Sequence, residues 1–214
     1  MAVEIQGKVG PVYASDGSII DPRLTHDGAM STGDLHGRYN EAALRGGVWT
    51  LATAVAGITL ATANTIAQSG PSPIVGVFNP VASGKVLAII RVSAQWLSGT
   101  PPTAGLVFAV LPPNAGVTAA GGNGAINPYT FVTGGSTAKT FTNSAMTGSG
   151  TAALLRYVGG PFGATLAAGA SVFYTEETAG EIIVPAGGAF ALLASGAGTT
   201  AVLCASMTWE EYTP

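Results

Sequence analysis

Charge is scarce in this 214-residue chain. Lys, Arg, Asp and Glu make up 9% of its residues, whereas an average soluble domain has roughly a quarter. The eight basic residues are scattered and the formal net charge is −3. The chain therefore lacks the clustered cations that displace counterions from a nucleic-acid backbone, and we expect no nucleic-acid partner.

Cysteine and histidine are almost absent as well. Cys204 is the single cysteine, which excludes an internal disulfide and fits folding in a reducing cytoplasm. His26 and His36 are the two histidines, and they lack HExxH-type metal-ligand spacing. The sequence also contains no GxSxG nucleophile motif. We therefore expect no metal, no cofactor and no catalytic residues, and the chain is not predicted to be an enzyme.

Membrane-directing segments are missing too. The N-terminal MAVEIQGKVG has no basic stretch followed by an apolar one, as a signal peptide would. The uncharged segment 186–207 is long enough to span a bilayer. However, its glycines, serines and threonines favour a strand, a turn and a second strand: AFALLA, SGAGT and TAVLCASM. We expect no membrane association, and we expect Cys204 to be a small buried thiol.

The charge that is present lies mainly near the N-terminus. Residues 1–47 hold ten of the 19 charged residues, and this part shows turn dipeptides without sustained periodicity. It has too little apolar surface to offset its own ordering entropy. We therefore divide the chain into an extended N-terminal docking arm, residues 1–46, and a β-sandwich domain, residues 47–214. Within the arm, one helical turn is expected at Asn40–Arg45, ended by Gly46.

From Val48 onward the sequence favours β-strands. In the segment 85–97, alternation with a period of two places one set of side chains on a single face: Val86, Ala88, Ile90, Val92, Ala94 and Trp96. Other strand candidates are VWTLATA, GITLATA, PIVGVFN, GLVFAVLP, YTFVTG, ALLRYVG, SVFYTEE, EIIVPA, AFALLA and VLCASMTWEEY. Segment 115–150 is expected to include a long loop. This pattern predicts an all-β fold, a jelly-roll-like two-sheet sandwich with an extended N-terminal arm.

Two features leave other functions open. Glu176, Glu177 and Glu181 flank one predicted turn, and paired carboxylates can run glycosidic chemistry or bind a divalent cation. A solvated hairpin tip is the favoured interpretation of this cluster. The three tryptophans and six tyrosines would suit a sugar-binding platform, but the strand patterns around Trp49, Trp96 and Trp209 favour core positions or subunit contacts. An exposed aromatic cluster at loop tips would favour the sugar-binding function.

The low charge of the β-region points to assembly. A soluble monomer normally keeps charge on its surface, whereas the centres of homo-oligomer interfaces are depleted of charge. Residues 48–214 hold only nine charged side chains. We therefore expect a homo-oligomer, with a trimer as the leading form.

The stretch HGRYNEAALRGGVW, the low-charge strand region after it, and FNPVASGKVLAIIRV resemble small virion proteins of tailed bacteriophages. The resemblance is closest over residues 33–97 and in the final MTWEEY strand. It implies a structural virion protein of the capsid decoration (cement) type, which stabilises the phage head by binding across capsomers. Such a protein is made in the host cytoplasm and resides on the capsid surface of the virion.

The same resemblance implies partners and a docking element. The partners would be the major capsid protein or other virion subunits, together with further copies of the chain. The alternative function is that of a tail-associated or receptor-binding carbohydrate-binding β-module. The partner-binding residues would lie in the arm: Leu35, His36, Arg38, Tyr39, Glu41, Leu44 and Arg45.

Overall fold

The computed structural model describes residues 38–66, 70–100, 105–111, 124–146, 152–159, 173–196 and 200–214. The chain falls into two compact units, Met1–Glu41 and Ala42–Pro214. Helix α1 (Asn40–Leu44) is followed by Gly46, which has a φ of +73°. The Gly46 amide donates to the Ala43 carbonyl at 2.9 Å, and this closes the short helix as predicted.

The second unit is built from strands. Its described strands are β1 (Val48–Ala52), β2 (Ile58–Thr59), β3 (Val75–Phe78), β4 (Val86–Ser98), β5 (Leu106–Leu111), β6 (Lys139–Phe141), β7 (Ala153–Gly159), β8 (Phe173–Val184), β9 (Ala189–Ala194) and β10 (Val202–Tyr212). Sheet 1 has the order β1-β10-β4-β8, with β2 also paired to β10, and sheet 2 has the order β6-β3-β9-β5-β7. The predicted all-β two-sheet sandwich is confirmed. Among the described helices, none combines the length and the apolar character that crossing a membrane would require.

The strand pairings follow a simple rule. When the short strands β2 and β6 are set aside, eight strands remain, and the first pairs with the last: β1 with β10. The second then pairs with the seventh (β3 with β9), the third with the sixth (β4 with β8), and the fourth with the fifth (β5 with β7). Pairings of β10 with β4 and of β5 with β9 join these couples side by side. All of these pairings are antiparallel, so the chain is a long hairpin folded over into two sheets.

The core between the sheets is aromatic and aliphatic. The rings of Phe108 and Phe190 meet edge to face, with centroids 5.1 Å apart, a favoured aromatic geometry. Trp49, Trp96 and Trp209 are all buried in this cluster. The prediction that strand patterning makes the tryptophans core residues is confirmed.

A second apolar cluster covers the outer face of sheet 2. In β9, three alternate residues face the core between the sheets, Phe190, Leu192 and Ala194. The other three belong to the second cluster, Ala189, Ala191 and Leu193. Met146 also belongs to this cluster and Ile66 packs against it, both from outside the strands. As a result, β9 is buried at every position.

The alternation in β4 changes phase at Ile90. Leu87 and Ile89 face the core between the sheets, as do three residues further on: Val92, Ala94 and Trp96. The pairing with β10 skips Ile90, which is therefore the extra residue of a β-bulge. The single continuous face predicted from Val86 to Trp96 is wrong for its first three members, because the bulge reverses which residues point inward.

Two other segments differ from the sequence prediction. The expected turn in FYTEETAGEI is absent, since β8 runs unbroken through it, paired with β4, with an irregularity at Ala179 and Gly180, both at positive φ. YTFVTG is a turn rather than a strand, because hydrogen bonds to Asn127 close the chain on itself there. The long loop expected in segment 115–150 lies partly outside the described residues, and β6 is within that segment.

Candidate interaction surfaces

Five of the seven predicted docking residues fall in the described part of the chain. Leu35 and His36 lie outside it. Arg38 is exposed, and its guanidinium carbon lies 5.6 Å from the centroid of the Tyr39 ring, in cation–π range. Glu41 is exposed in the first turn of α1. The role of these residues as partner contacts stays a prediction.

Leu44 and Arg45 follow at the end of α1. Leu44 leaves 51% of its surface exposed, which is high for a leucine. Arg45 is also exposed and lines a pocket of about 370 Å³ together with Lys85 and Glu211. These two residues are thus accessible to a partner in the described structure.

Glu211 is a buried carboxylate that the sequence analysis did not single out. It is 8% exposed and accepts hydrogen bonds at both oxygens. Oε1 accepts from the Ser136 hydroxyl and from the Trp209 indole N–H at 3.1 Å, and Oε2 accepts from the Thr137 amide at 3.1 Å and hydroxyl at 2.9 Å. The Ala138 amide adds a longer bond to Oε1 at 3.4 Å.

This arrangement makes Glu211 an anchor. Hydrogen bonds to an ionised acceptor are stronger than neutral ones, and here they hold segment 136–138 against β10. Glu210, its neighbour, points to the opposite face, as expected for adjacent strand residues. The sequence contained a signal for this burial: Glu211 is two residues after Trp209 in the same strand, so the two side chains point to the same face, toward the core.

The carboxylates weighed as a possible catalytic or metal cluster are engaged in ion pairs. Glu177 contacts Arg91 at 2.6 Å. Arg156 contacts both Glu176, at 2.9 Å, and Glu181, at 3.5 Å. The hairpin-tip interpretation was wrong, because these residues lie along β8 itself.

Arg156 also joins the two sheets. It lies on β7, the edge strand of sheet 2, and its carboxylate partners lie on β8, the edge strand of sheet 1. Its guanidinium carbon is 5.5 Å from the centroid of the Phe108 ring. The acidic residues of β8 thus close one side of the sandwich. Within the described ranges, no group of three or more His, Cys, Asp or Glu residues is placed to hold a metal ion.

The outer face of sheet 1 is polar and shallow. Hydroxyl pairs cross it, Thr50 with Thr208 and Ser93 with Thr175, each at 3.2 Å. A groove of about 190 Å³ lies on this face, and its lining contains no charged residue. The lining is Ala52, Thr53, Ser93, Ala94, Gln95, Phe173, Cys204, Ala205 and Ser206.

Cys204 lies in this groove rather than in the core. It is partly exposed, and its Sγ is 3.4 Å from the Val55 carbonyl oxygen. The predicted burial of the thiol is wrong, because Leu203 and Ala205 take the inward positions of β10. Strand alternation places Cys204 on the face opposite the buried Leu203. It predicted the position of the thiol better than the general tendency of cysteine to be buried.

A small apolar protrusion stands at the β1 edge of sheet 1. We call residues Ile126–Thr133 the Phe131 tip. Ile126 exchanges backbone hydrogen bonds with Thr50 of β1 at 2.9 and 2.8 Å. Beyond that bridge the tip exposes four large apolar side chains, namely Ile126, Tyr129, Phe131 and Val132. Phe131 is 81% exposed.

Local hydrogen bonds fix the backbone of the tip. The side chain of Asn127 accepts from the amides of Tyr129 and Thr130, at 2.9 and 3.0 Å, as a helix N-cap does. The Phe131 amide donates to the Asn127 carbonyl at 2.8 Å. Phe131 itself has a φ of +57°, in the left-handed region where glycine is usual and a bulky residue is an outlier.

The comparisons with known proteins contribute no relative. No protein-family model, no curated protein and no solved structure matches this chain. The functional argument therefore depends on the chain's own residues and geometry.

Proposed function

We propose that this chain is a structural virion protein of a tailed bacteriophage, a capsid decoration protein that acts as an oligomer on the capsid surface. The observation that carries the proposal is the exterior of the described part of the chain. It combines few charges with large exposed apolar side chains, among them Leu44, Phe131, Tyr157 and Phe173. On the Phe131 tip such side chains lie together in one short segment, and exposed apolar surface that is clustered in this way marks interaction sites.

The topology gives further support. In a jelly roll, eight strands form two antiparallel sheets. The pairing of first with last, second with seventh, third with sixth and fourth with fifth strands is what folding one long hairpin into such sheets produces. We therefore propose that the sandwich is a jelly roll with two short additional strands.

The polar residues favour assembly over catalysis. The acidic residues of β8 are paired with arginines, and Glu211 receives donors at both oxygens. A general acid or base has to reach the proton that it transfers. Carboxylates held in this way act as structural links, which suits a protein that makes and breaks no bond.

The carbohydrate-binding alternative has support at one place. The three tryptophans are buried, so they form no stacking platform, and Phe173 lies beside the groove of sheet 1. Tyr129 and Phe131 are exposed together on the Phe131 tip, and an exposed aromatic pair at a loop tip favours carbohydrate binding. Assembly is the function we propose, because large apolar side chains away from the tip, such as Leu44 and Leu154, are exposed as well.

The mechanism would be stabilisation by binding. A protein that binds the assembled capsid lattice, and not its separated subunits, shifts the equilibrium toward the lattice by mass action. Contacts that span two capsomers have to be broken before the capsomers separate. The arm would provide part of this contact, with Arg38 and Arg45 forming charge-assisted hydrogen bonds to partner carboxylates or carbonyls.

Occupancy on particles tests the proposal. Particles that lack this protein are mixed with the full chain or with a chain that lacks residues 1–46, and bound protein is counted by gel densitometry and electron microscopy. We expect the full chain to bind and the truncated chain to stay folded but unbound. Absence of binding by the full chain would refute the decoration function.

Point variants separate the arm from general surface charge. Arg38→Ala combined with Arg45→Ala is expected to lower occupancy with little change in melting temperature. Arg91→Ala removes another exposed arginine, from the outer face of sheet 1, and serves as the matched control. Equal occupancy for both variants would exclude the arm arginines as docking residues.

A further inference from the structure

The Phe131 tip is an apolar surface that stays exposed in the described part of the chain. Ile126, Tyr129, Phe131 and Val132 all leave large parts of their side chains in solvent. No charged residue occurs between Ile126 and Thr133. A hydrophobic tip of this kind costs little to desolvate and is the kind of element that inserts into a concave partner.

The tip is also rigid. Its turn is closed by backbone hydrogen bonds from Asn127 to Val132 at 3.0 Å and from Phe131 to Asn127 at 2.8 Å. The strained φ of Phe131 is held by these bonds, and strain of this kind is concentrated where it serves a function. A preorganised backbone loses little conformational freedom on binding. Because a lipid surface needs no fixed shape, these features favour a protein partner with a defined groove.

The chain itself carries a suitable groove. The depression on the outer face of sheet 1, about 190 Å³, is lined by uncharged residues only. Apolar carbon from Ala52 and Phe173 lies beside the small polar groups of Ser206 and Cys204. Insertion of an aromatic ring there would bury no charge on either side, and depletion of charge is typical of the centres of interfaces between copies of one chain.

We propose that the Phe131 tip of one copy docks in the groove beside Cys204 of a second copy. The two surfaces are different parts of the chain. A contact that runs in one direction is heterologous and generates a closed ring or an open filament, depending on the rotation between copies, whereas a mutual exchange of tips gives a two-fold dimer. The proposal deepens the assembly part of the proposed function and rests on it: it names the contact through which copies associate.

Self-association of the purified full chain gives the first test. Sedimentation equilibrium over the micromolar range is measured for the wild-type chain, Phe131→Gly and Tyr157→Ala. Glycine suits the positive φ, so Phe131→Gly should fold at least as well while weakening association about tenfold or more. Tyr157→Ala removes a comparably exposed aromatic ring from β7 and should leave association unchanged. Equal association of wild type and Phe131→Gly would overturn the proposal.

The single thiol of the chain gives the second test. Labelling of Cys204 by a maleimide should slow as wild-type concentration rises, and Phe131→Gly should abolish that protection. Labelling that is independent of concentration would count against the groove as the docking site.

Crosslinking locates the contact directly. A chain carrying both Thr130→Cys and Cys204→Ser, which keeps the Phe131 ring beside the new thiol, is mixed with a larger, tagged chain that keeps Thr130 and Cys204, and an oxidant of the diamide class is added. The oxidant accepts the two electrons and two protons released when the two thiols join. A mixed disulfide dimer supports the proposal, and its absence overturns it.

These tests are made without particles, so the two proposals fail separately. If the tip contact is disproved while the full chain still occupies particles, the decoration function stands. If the tip contact is confirmed while the full chain does not occupy particles, the decoration function fails and the self-contact stands.

Discussion

The two sheets share one core but differ on their outer faces. Sheet 2 hides its outer face under a second apolar cluster, and Val107, Ala109 and Leu193 there are fully buried. Sheet 1 presents serine and threonine hydroxyls such as Ser93 and Thr208, which remain partly accessible. One sheet is therefore an internal layer of the domain, and the other is available for contact.

The sequence contains two kinds of strand that correspond to this difference between the sheets. AFALLA and LVFAVL are apolar at every position, which is typical of strands buried on both faces. The segment 202–209 alternates, with inward Leu203, Ala205, Met207 and Trp209 separated by smaller or polar residues. A continuous apolar run thus identifies the sheet with two covered faces, and alternation identifies the sheet with one.

The largest expected effect comes from placing a charge on the covered face. Leu193→Asp removes a fully buried side chain, which for Leu→Ala already costs about 2–5 kcal/mol, and it buries an unpaired carboxylate, which costs several more. Since a domain has about 5–15 kcal/mol of stability in total, we expect loss of cooperative folding by circular dichroism and urea denaturation.

Thr175→Asp is the matched control, because Thr175 is exposed on the outer face of sheet 1. It is expected to cost about 1 kcal/mol or less, in the range of strand propensity differences. Similar destabilisation by both variants would show that the two outer faces are equally covered.

A smaller effect is expected at the end of β10, where two neighbouring carboxylates face opposite ways. Glu211→Gln replaces one carboxylate oxygen by an NH₂ group, which then faces hydrogen-bond donors. The free energy of unfolding should fall, because each lost hydrogen bond to a charged group contributes about 1.5–3 kcal/mol. Glu210→Gln should change the free energy of unfolding by about 0.5 kcal/mol or less. Urea denaturation of both variants checks this, and equal values would contradict the anchoring role of Glu211.

The smallest effect is expected for the ion pair on the open face. Arg91 and Glu177 are 2.6 Å apart, but their side chains are 54% and 64% exposed. Exposed pairs contribute about 0–1 kcal/mol and are weakened by salt. Arg91→Ala should therefore lower stability by less than about 1 kcal/mol, with the difference shrinking in high salt. A larger, salt-independent loss would mean that this face is more enclosed than its exposure indicates.

Local patterning predicted the sheets but not their irregularities. Eleven strand candidates were predicted from alternation and turn residues, and most are strands in the structure. Ile90 broke the prediction because a bulge is decided by pairing with β10, a segment more than a hundred residues away. The same holds for Glu211, whose donors come from segment 136–138. Contacts of that range are not visible in a window of neighbouring residues.

The candidate site was predicted least well. The partner-binding residues were predicted in the arm because most of the charged residues lie there. The segment of the Phe131 tip was predicted to be a strand, since Tyr, Thr, Phe and Val have high β-propensity. The signal that would have identified the turn is Asn127-Pro128. Asparagine caps a turn, and a proline directly after it has its own φ fixed at a value that suits the first position of the turn.

The position of β10 has a consequence for how the domain forms. β10 lies between β1 and β4, so two strands synthesised early have no shared partner until residues 202–212 arrive. Pairing over such a sequence separation is slow, because loop closure precedes any gain from the contacts. During that delay the edges of β1 and β4 are open to other chains. We therefore expect the yield of folded chain to be sensitive to temperature and to chaperone supply.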